Sequence, residues 1–202
     1  MEAARHRVGS IACIVTIASF VGSLSISWRI WHARSSLGVA FSPLATNIIC
    51  LHAWLLCGLT SDNTNVVRVS AGGLVVTAVN ATVHRMYSSC TGPGLALLAA
   101  LLVMSVTSPM VTMPLLVKMA SACAVACHLA PIVRVLTFPL PEIAAFTLAA
   151  CGLWTAYGVL DGNVAMIVNN LVGAIVAAVE LCAAGLMYMY CQCGEYLSAQ
   201  TA

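Results

Sequence analysis

Apolar residues run along the chain in long blocks, broken only by short polar or charged clusters. The first block, Val8 to Ser27, closes at Trp28-Arg29, with His32 and Arg34 just beyond. The second, Phe41 to Thr60, closes at Ser61-Asp62-Asn63-Thr64-Asn65. The third, Val69 to Val83, closes at His84-Arg85, and Gly92-Pro93-Gly94 then breaks the chain. Leu95 to Leu116 is the fourth, and Met119 to Val133, closed by Arg134, is the fifth. After a second break at Phe138-Pro139-Leu140-Pro141-Glu142, Ile143 to Leu160 is the sixth, ended by Asp161-Gly162-Asn163. Val164 to Tyr190 is the seventh, and residues 191–202 are a short polar tail. A helix crosses a bilayer with about 20 apolar residues. The blocks are near that length and do not alternate every second residue, which predicts helices rather than barrel strands.

Composition agrees. Hydrophobic residues make up 61% of the 202 positions and charged ones 7%, against roughly 25% charged in a soluble domain. So few charges cannot coat a soluble globule, which excludes a soluble enzyme. Scattered Lys and Arg leave no basic footprint for nucleic acid. Arg5 and Arg7 precede the first block as in a signal peptide, but the block outruns such a segment and no small-residue cleavage site follows, so a retained span is expected. Most of the ten cysteines lie inside apolar blocks, where they are expected to pack as small hydrophobes. Cys191-Gln192-Cys193 is a weak palmitoylation or metal signal, and packing is the preferred reading. With the amino terminus outside, Arg29, Arg34, Arg85 and Arg134 face Arg5, Arg7, Arg68 and Lys118 across the membrane. That is four against four, so positive charge does not orient the chain.

The chain repeats itself at an offset of 100 residues. Trp54 and Gly58 meet Trp154 and Gly158, Asn63 meets Asn163, and Gly73 meets Gly173, all in one ungapped register. The repeat pairs spans one to three with spans five to seven and leaves span four alone. Three spans reverse the chain across the membrane, and one extra helix restores the original direction. The expected architecture is an all-α membrane protein of seven transmembrane helices as 3+1+3. Two parallel triple-helix bundles (residues 8–88 and 119–190) are joined by a linker helix over 94–116. A substrate site near mid-membrane between such repeats follows.

Trp154-Thr155-Ala156-Tyr157-Gly158, the acidic Asp161, and Asn170-Leu171-Val172-Gly173 thirteen residues after Tyr157 form one pattern. Arg34-Ser35-Ser36-Leu37-Gly38-Val39-Ala40-Phe41-Ser42-Pro43 forms another, and Ala130-Pro131 a third. Over essentially its whole length the chain resembles the SWEET (MtN3/saliva) sugar transporter family in these segments. The first repeat keeps the spacing but changes identities: Trp54, Cys57 in place of Tyr, Gly58, and Ser70 in place of Asn.

The resemblance implies that Asn170 and Trp154 bind sugar. The chemistry is suitable. A carboxamide both donates and accepts, as sugar hydroxyls do, and an indole face suits the C–H face of a sugar ring. Two plainer readings stand beside these: Asn170 as an interhelical hydrogen bond and Trp154 as an interfacial anchor. Asn169 points about 100° away on a helix and is expected to contribute less. Ser70 shortens the reach of the first-repeat amide. Leu51 or His52 stands where the family places a small pocket residue, and His52 is either a pocket hydrogen-bonder or a packed partner. The family's four hinge prolines match Pro43, Pro131 and Pro141, while Ser23 stands near the fourth. Gating is expected around Cys57, Gly58, Tyr157, Gly158 and Asp161. Glu180, with Asn80 as its repeat equivalent, is either a protonated, hydrogen-bonded carboxyl or a proton relay, since a charge at mid-bilayer is costly.

The reading implied is a facilitative, bidirectional sugar uniporter working by alternating access in the plasma membrane or an endomembrane. It has a neutral sugar and the lipid bilayer as partners and homo-oligomers as a further expectation. No cofactor, metal or enzymatic activity is expected. The alternatives are a PQ-loop-class metabolite carrier or proton-coupled transporter, although Pro-Gln dipeptides are absent, and a transport-inactive receptor or scaffold.

Overall fold

The computed structural model describes residues 2–88 and 141–200, with positions 101, 115, 117, 118, 120–122, 124 and 125 between them. Most of the expected linker span, most of the fifth span and Pro131 lie outside the described residues. Among those described, all regular structure is helical: α1 (Glu2–Gly22), α2 (Leu24–Ala33), α3 (Ser42–Thr60), α4 (Thr64–Met86), α5 (Pro141–Asp161) and α6 (Val164–Gln200). Five segments are long and apolar enough to cross a membrane: Glu2–Ala33, Ser42–Thr60, Thr64–Met86, Ala144–Asp161 and Val164–Tyr190.

Boundaries shift where polar residues are helical. The first span begins at Glu2, ahead of Val8, and α4 begins at Thr64, ahead of Val69. Arg5 and Arg7 fall in the first two turns of α1 and Arg68 in the second turn of α4. At about 1.5 Å per residue, Glu2–Ala33 is longer than a bilayer core is thick. The helix of α6 continues to Gln200, through the residues read as a polar tail.

The first span is broken at Ser23. The amide N–H of Ser23 is shared between the carbonyls of Ser19 and Phe20, at 3.1 and 3.0 Å, and Ile26 N–H reaches back only three residues to Ser23 C=O. The Ser23 hydroxyl donates to Phe20 C=O at 2.6 Å. Such three-residue bonds and hydroxyl back-bonding tighten and bend a helix. Asn80 on α4 then stitches both sides of the break. It donates to Ser23 Oγ at 3.0 Å and accepts from the hydroxyl of Ser27, and it is 1% exposed. A serine and an amide thus produce the break without a proline. Pro43, by contrast, sits in the first turn of α3. There its missing N–H removes no helical hydrogen bond, so the expected interior kink is absent at this residue. Pro141 is the first described residue of α5.

The repeat is visible in backbone detail. Asn63 N–H bonds Gly58 C=O and Asn163 N–H bonds Gly158 C=O, both at 2.9 Å. The side chains of Asn63 and Asn163 cap α4 and α6 through the N–H of Val66 and Met166, at 3.3 and 3.0 Å. Each turn passes through a left-handed residue, Asp62 in one and Gly162 in the other. A Cβ on Gly58 would lie 3.0 Å from the Val67 nitrogen, and one on Gly158 would lie 3.3 Å from that of Ile167. The shared glycine therefore lets each helix turn back tightly on the next. Asn63 also donates to the Tyr157 hydroxyl at 3.0 Å, so both turns lie at the same end of the molecule. The α3–α4 and α5–α6 hairpins point the same way, as two parallel units require.

Helix α1 packs against α4 of its own repeat and against α5 of the other. A buried apolar cluster joins Ala12 and Cys13 of α1, Val66 and Val69 of α4, Trp154 and Tyr157 of α5, and Met166 of α6. Ile11, Ile14, Val75, Val79, Val168 and Ile175 are exposed, which supplies the apolar outer surface that lipid requires.

Candidate functional site

A cavity of about 460 Å³ lies between the repeats. On α3 it runs from Pro43 to Trp54, a rise of about 16 Å at helical spacing. Asn170, Trp154, Ser70, Leu51, Pro43, Ser23, Asn80 and Glu180 all line it, and His52 does not. Neighbouring residues on a helix diverge by about 100°, which separates Leu51 from His52. For a short side chain on a wide cavity that angle is not decisive. Asn169, expected to point elsewhere, lines the cavity beside Asn170.

Trp154 is 8% exposed. Its indole N–H donates to Thr16 Oγ1 on α1 at 2.9 Å, and its ring meets Tyr157 edge-on at 5.4 Å. With the N–H engaged across the repeat boundary, ring surface is what Trp154 turns to the cavity. Asn170 donates one amide hydrogen to Met166 C=O at 2.8 Å, and its oxygen and second hydrogen have no partner among the described residues. On the first-repeat wall, Asn47 donates to Thr77 Oγ1 at 3.1 Å, and both line the cavity. The sequence reading missed Asn47 and Thr77, and it left Trp54 without a role. The repeat offset already paired Trp54 with Trp154, so that signal was available. Nothing in spacing alone marks Asn47 or Thr77.

A second cavity of about 450 Å³ lies at the end where the two turns meet. Cys57, Gly58, Tyr157 and Asp161 line it, together with Arg5, Asn63 and Asn163. Gly158 sits behind it, against Ile167. Trp54, Val66 and Met166 line both cavities and form the partition between them. Two cross-repeat polar contacts bridge this end: Asn63 to Tyr157, and Arg5 Nη1 to Asp161 Oδ1 at 3.0 Å. Cys57 stands where the family pattern has Tyr, and Arg5 supplies the partner for Asp161.

Arg5 is 44% and Asp161 20% exposed, so the pair contributes less than about 1 kcal/mol. Arg5→Ala is therefore expected to raise thiol labelling of Cys57 by less than about fivefold. Arg5→Asp, which sets two carboxylates together, should raise it further. Arg5→Asp combined with Asp161→Arg should return it to the starting level.

Residues 6–92 match the MtN3_slv family model, described as a sugar efflux transporter for intercellular exchange. That match covers the first repeat, although the second holds the fuller motif. No curated protein matches the chain. Among solved structures, a eukaryotic SWEET transporter superposes with a TM-score of 0.75 at 15% identity, over 90% of this chain and 95% of that one. Over residues 6–92 the chain thus matches the SWEET (MtN3_slv) family, and over nine-tenths of its length it carries the fold of a SWEET transporter.

Proposed function

We propose that the chain is a facilitative sugar carrier that exposes one mid-membrane site alternately to the two sides. The observation that carries this reading is the cavity between the repeats. Its volume is in the range of small-molecule sites, and its wall sets two indole rings among amides and hydroxyls. A partition and two cross-repeat contacts separate it from the polar vestibule, as one closed gate requires. In this reading residues 94–116 and 119–133 supply the linker helix and fifth span of a seven-helix, 3+1+3 bundle.

The test is uptake of labelled hexoses and disaccharides by transport-deficient cells expressing the chain. Asn170→Ala removes hydrogen bonds worth about 0.5–1.5 kcal/mol each, so apparent affinity should fall roughly tenfold. Equal uptake by both forms removes Asn170 from the site, and no uptake by the unaltered chain removes the carrier reading. Glu180 favours a second reading, proton coupling, because it places a carboxyl in the cavity wall. Uptake that follows an imposed pH gradient and loses that dependence in Glu180→Gln supports coupling. Indifference to both supports the uniporter.

A further inference from the structure

We propose that Asn169 is a second substrate-binding amide and that it fixes which hydroxyl pattern the carrier accepts. The proposal rests on the reading of the cavity as a sugar site. Asn169 is 5% exposed, and it lines the cavity. Its Oδ1 is buried and has no hydrogen-bond partner among the described residues.

A buried acceptor left unpaired bears the full penalty of losing its water. An asparagine retained as glue between helices would have that oxygen bonded by a neighbouring helix, and among the described residues it is not. The equivalent residue of the first repeat is Val69, a member of the buried apolar cluster. The fold therefore packs this position adequately without an amide, and the amide in the second repeat needs another explanation.

The cavity provides one. Asn169, Gly173, Val176 and Glu180 recur at i, i+4, i+7 and i+11, one face of α6, and all four line the cavity. The last torsion of an asparagine has a broad minimum. A turn of the amide presents the oxygen to a solute hydroxyl without moving the helix. Asn170, one residue on, keeps its oxygen and one amide hydrogen available. Adjacent amides on α6 thus face a wall that carries only Val69 and Ser70 at the matching places. At this level of the cavity the second repeat offers two amides and the first one hydroxyl, while the polar pair Asn47 and Thr77 of the first-repeat wall is bonded to itself.

The experiment uses the full chain, purified and reconstituted, with labelled glucose, galactose, fructose and sucrose as probes. The best-transported sugar is then compared with its monodeoxy analogues. Asn169→Val, which copies the first repeat, should raise KM by about 3- to 10-fold and leave the maximal rate within about twofold. Its sugar-free form should melt no lower than the unaltered chain, because the orphan acceptor is gone. One monodeoxy analogue, weaker than its parent in the unaltered chain, should bind Asn169→Val as well as the parent does. Asn169→Ala should show the same loss of discrimination. An unchanged KM, or discrimination that survives in both variants, overturns the role of Asn169 while leaving the carrier standing. A sugar-free melting point that falls in both variants with KM unchanged assigns the residue to packing and overturns it too. If the unaltered chain moves none of the probes, the carrier reading fails first and Asn169 fails with it.

Discussion

Trp154→Ala is expected to reduce uptake at least tenfold and to destabilise the chain by about 3–5 kcal/mol, the range for removing a buried tryptophan. Three interactions go together. The ring is 8% exposed within the cluster that joins α1, α4, α5 and α6. The indole N–H loses Thr16, a contact that spans the two repeats. The edge-on contact with Tyr157 also goes, and Tyr157 accepts from Asn63 at the end where the two turns meet. Trp154→Phe separates the contributions. It keeps ring surface and loses the N–H, and a polar contact between membrane helices averages about 0.6 kcal/mol. Its uptake should therefore remain closer to the unaltered chain than to Trp154→Ala. Equilibrium unfolding in detergent and uptake by the same preparations check both quantities.

Asn80→Ala should have the second-largest effect, through the break in the first span. Asn80 holds Ser23 on one side of that break and Ser27 on the other. Its removal leaves the Ser27 hydroxyl without its acceptor and opens space at a site that is 1% exposed. Two interhelical bonds at about 0.6–1.7 kcal/mol each give a loss of about 1–3 kcal/mol. The expected readouts are a lower melting temperature and a changed maximal rate, with sugar affinity altered less than in Asn170→Ala. Ser27→Ala alone should give the smaller part of the stability loss. A melting temperature unchanged in Asn80→Ala would show that the network carries no stability.

Much of the architecture was legible because lipid imposes a simple rule. Backbone polar groups must be satisfied within the segment, so a long apolar block has one solution, and the blocks around α3 and α5 fall within a few residues of their helices. Ends were less legible. Arg5 and Arg68 looked like boundaries but lie inside helical turns, because a helix does not stop where the hydrocarbon does. The asparagine caps at Asn63 and Asn163 would have placed two starts, since capping depends on one side chain and not on hydropathy.

The site was legible in part. The resemblance singled out Asn170 and Trp154, the repeat offset added Ser70 as the counterpart of Asn170, and all three line one cavity. Asn169 was set aside on helical angle, an argument that ignores how wide the facing cavity is. The link between Arg5 and Asp161 joins positions 156 residues apart, and nothing local in either segment announces it. Ser23 was read as a missing proline. The structure gives it a comparable break through shared backbone bonds and Asn80, a partner that only tertiary contact reveals.

The central claim is that an uncharged solute passes through one site that opens in turn to each side. Counterflow in proteoliposomes tests it most directly: vesicles loaded with unlabelled sugar and diluted into a trace of the same labelled sugar. An alternating carrier should draw label in transiently, above its outside concentration, before it equilibrates. Label that enters no faster than into protein-free vesicles, or that rises straight to equilibrium without an overshoot, contradicts the account.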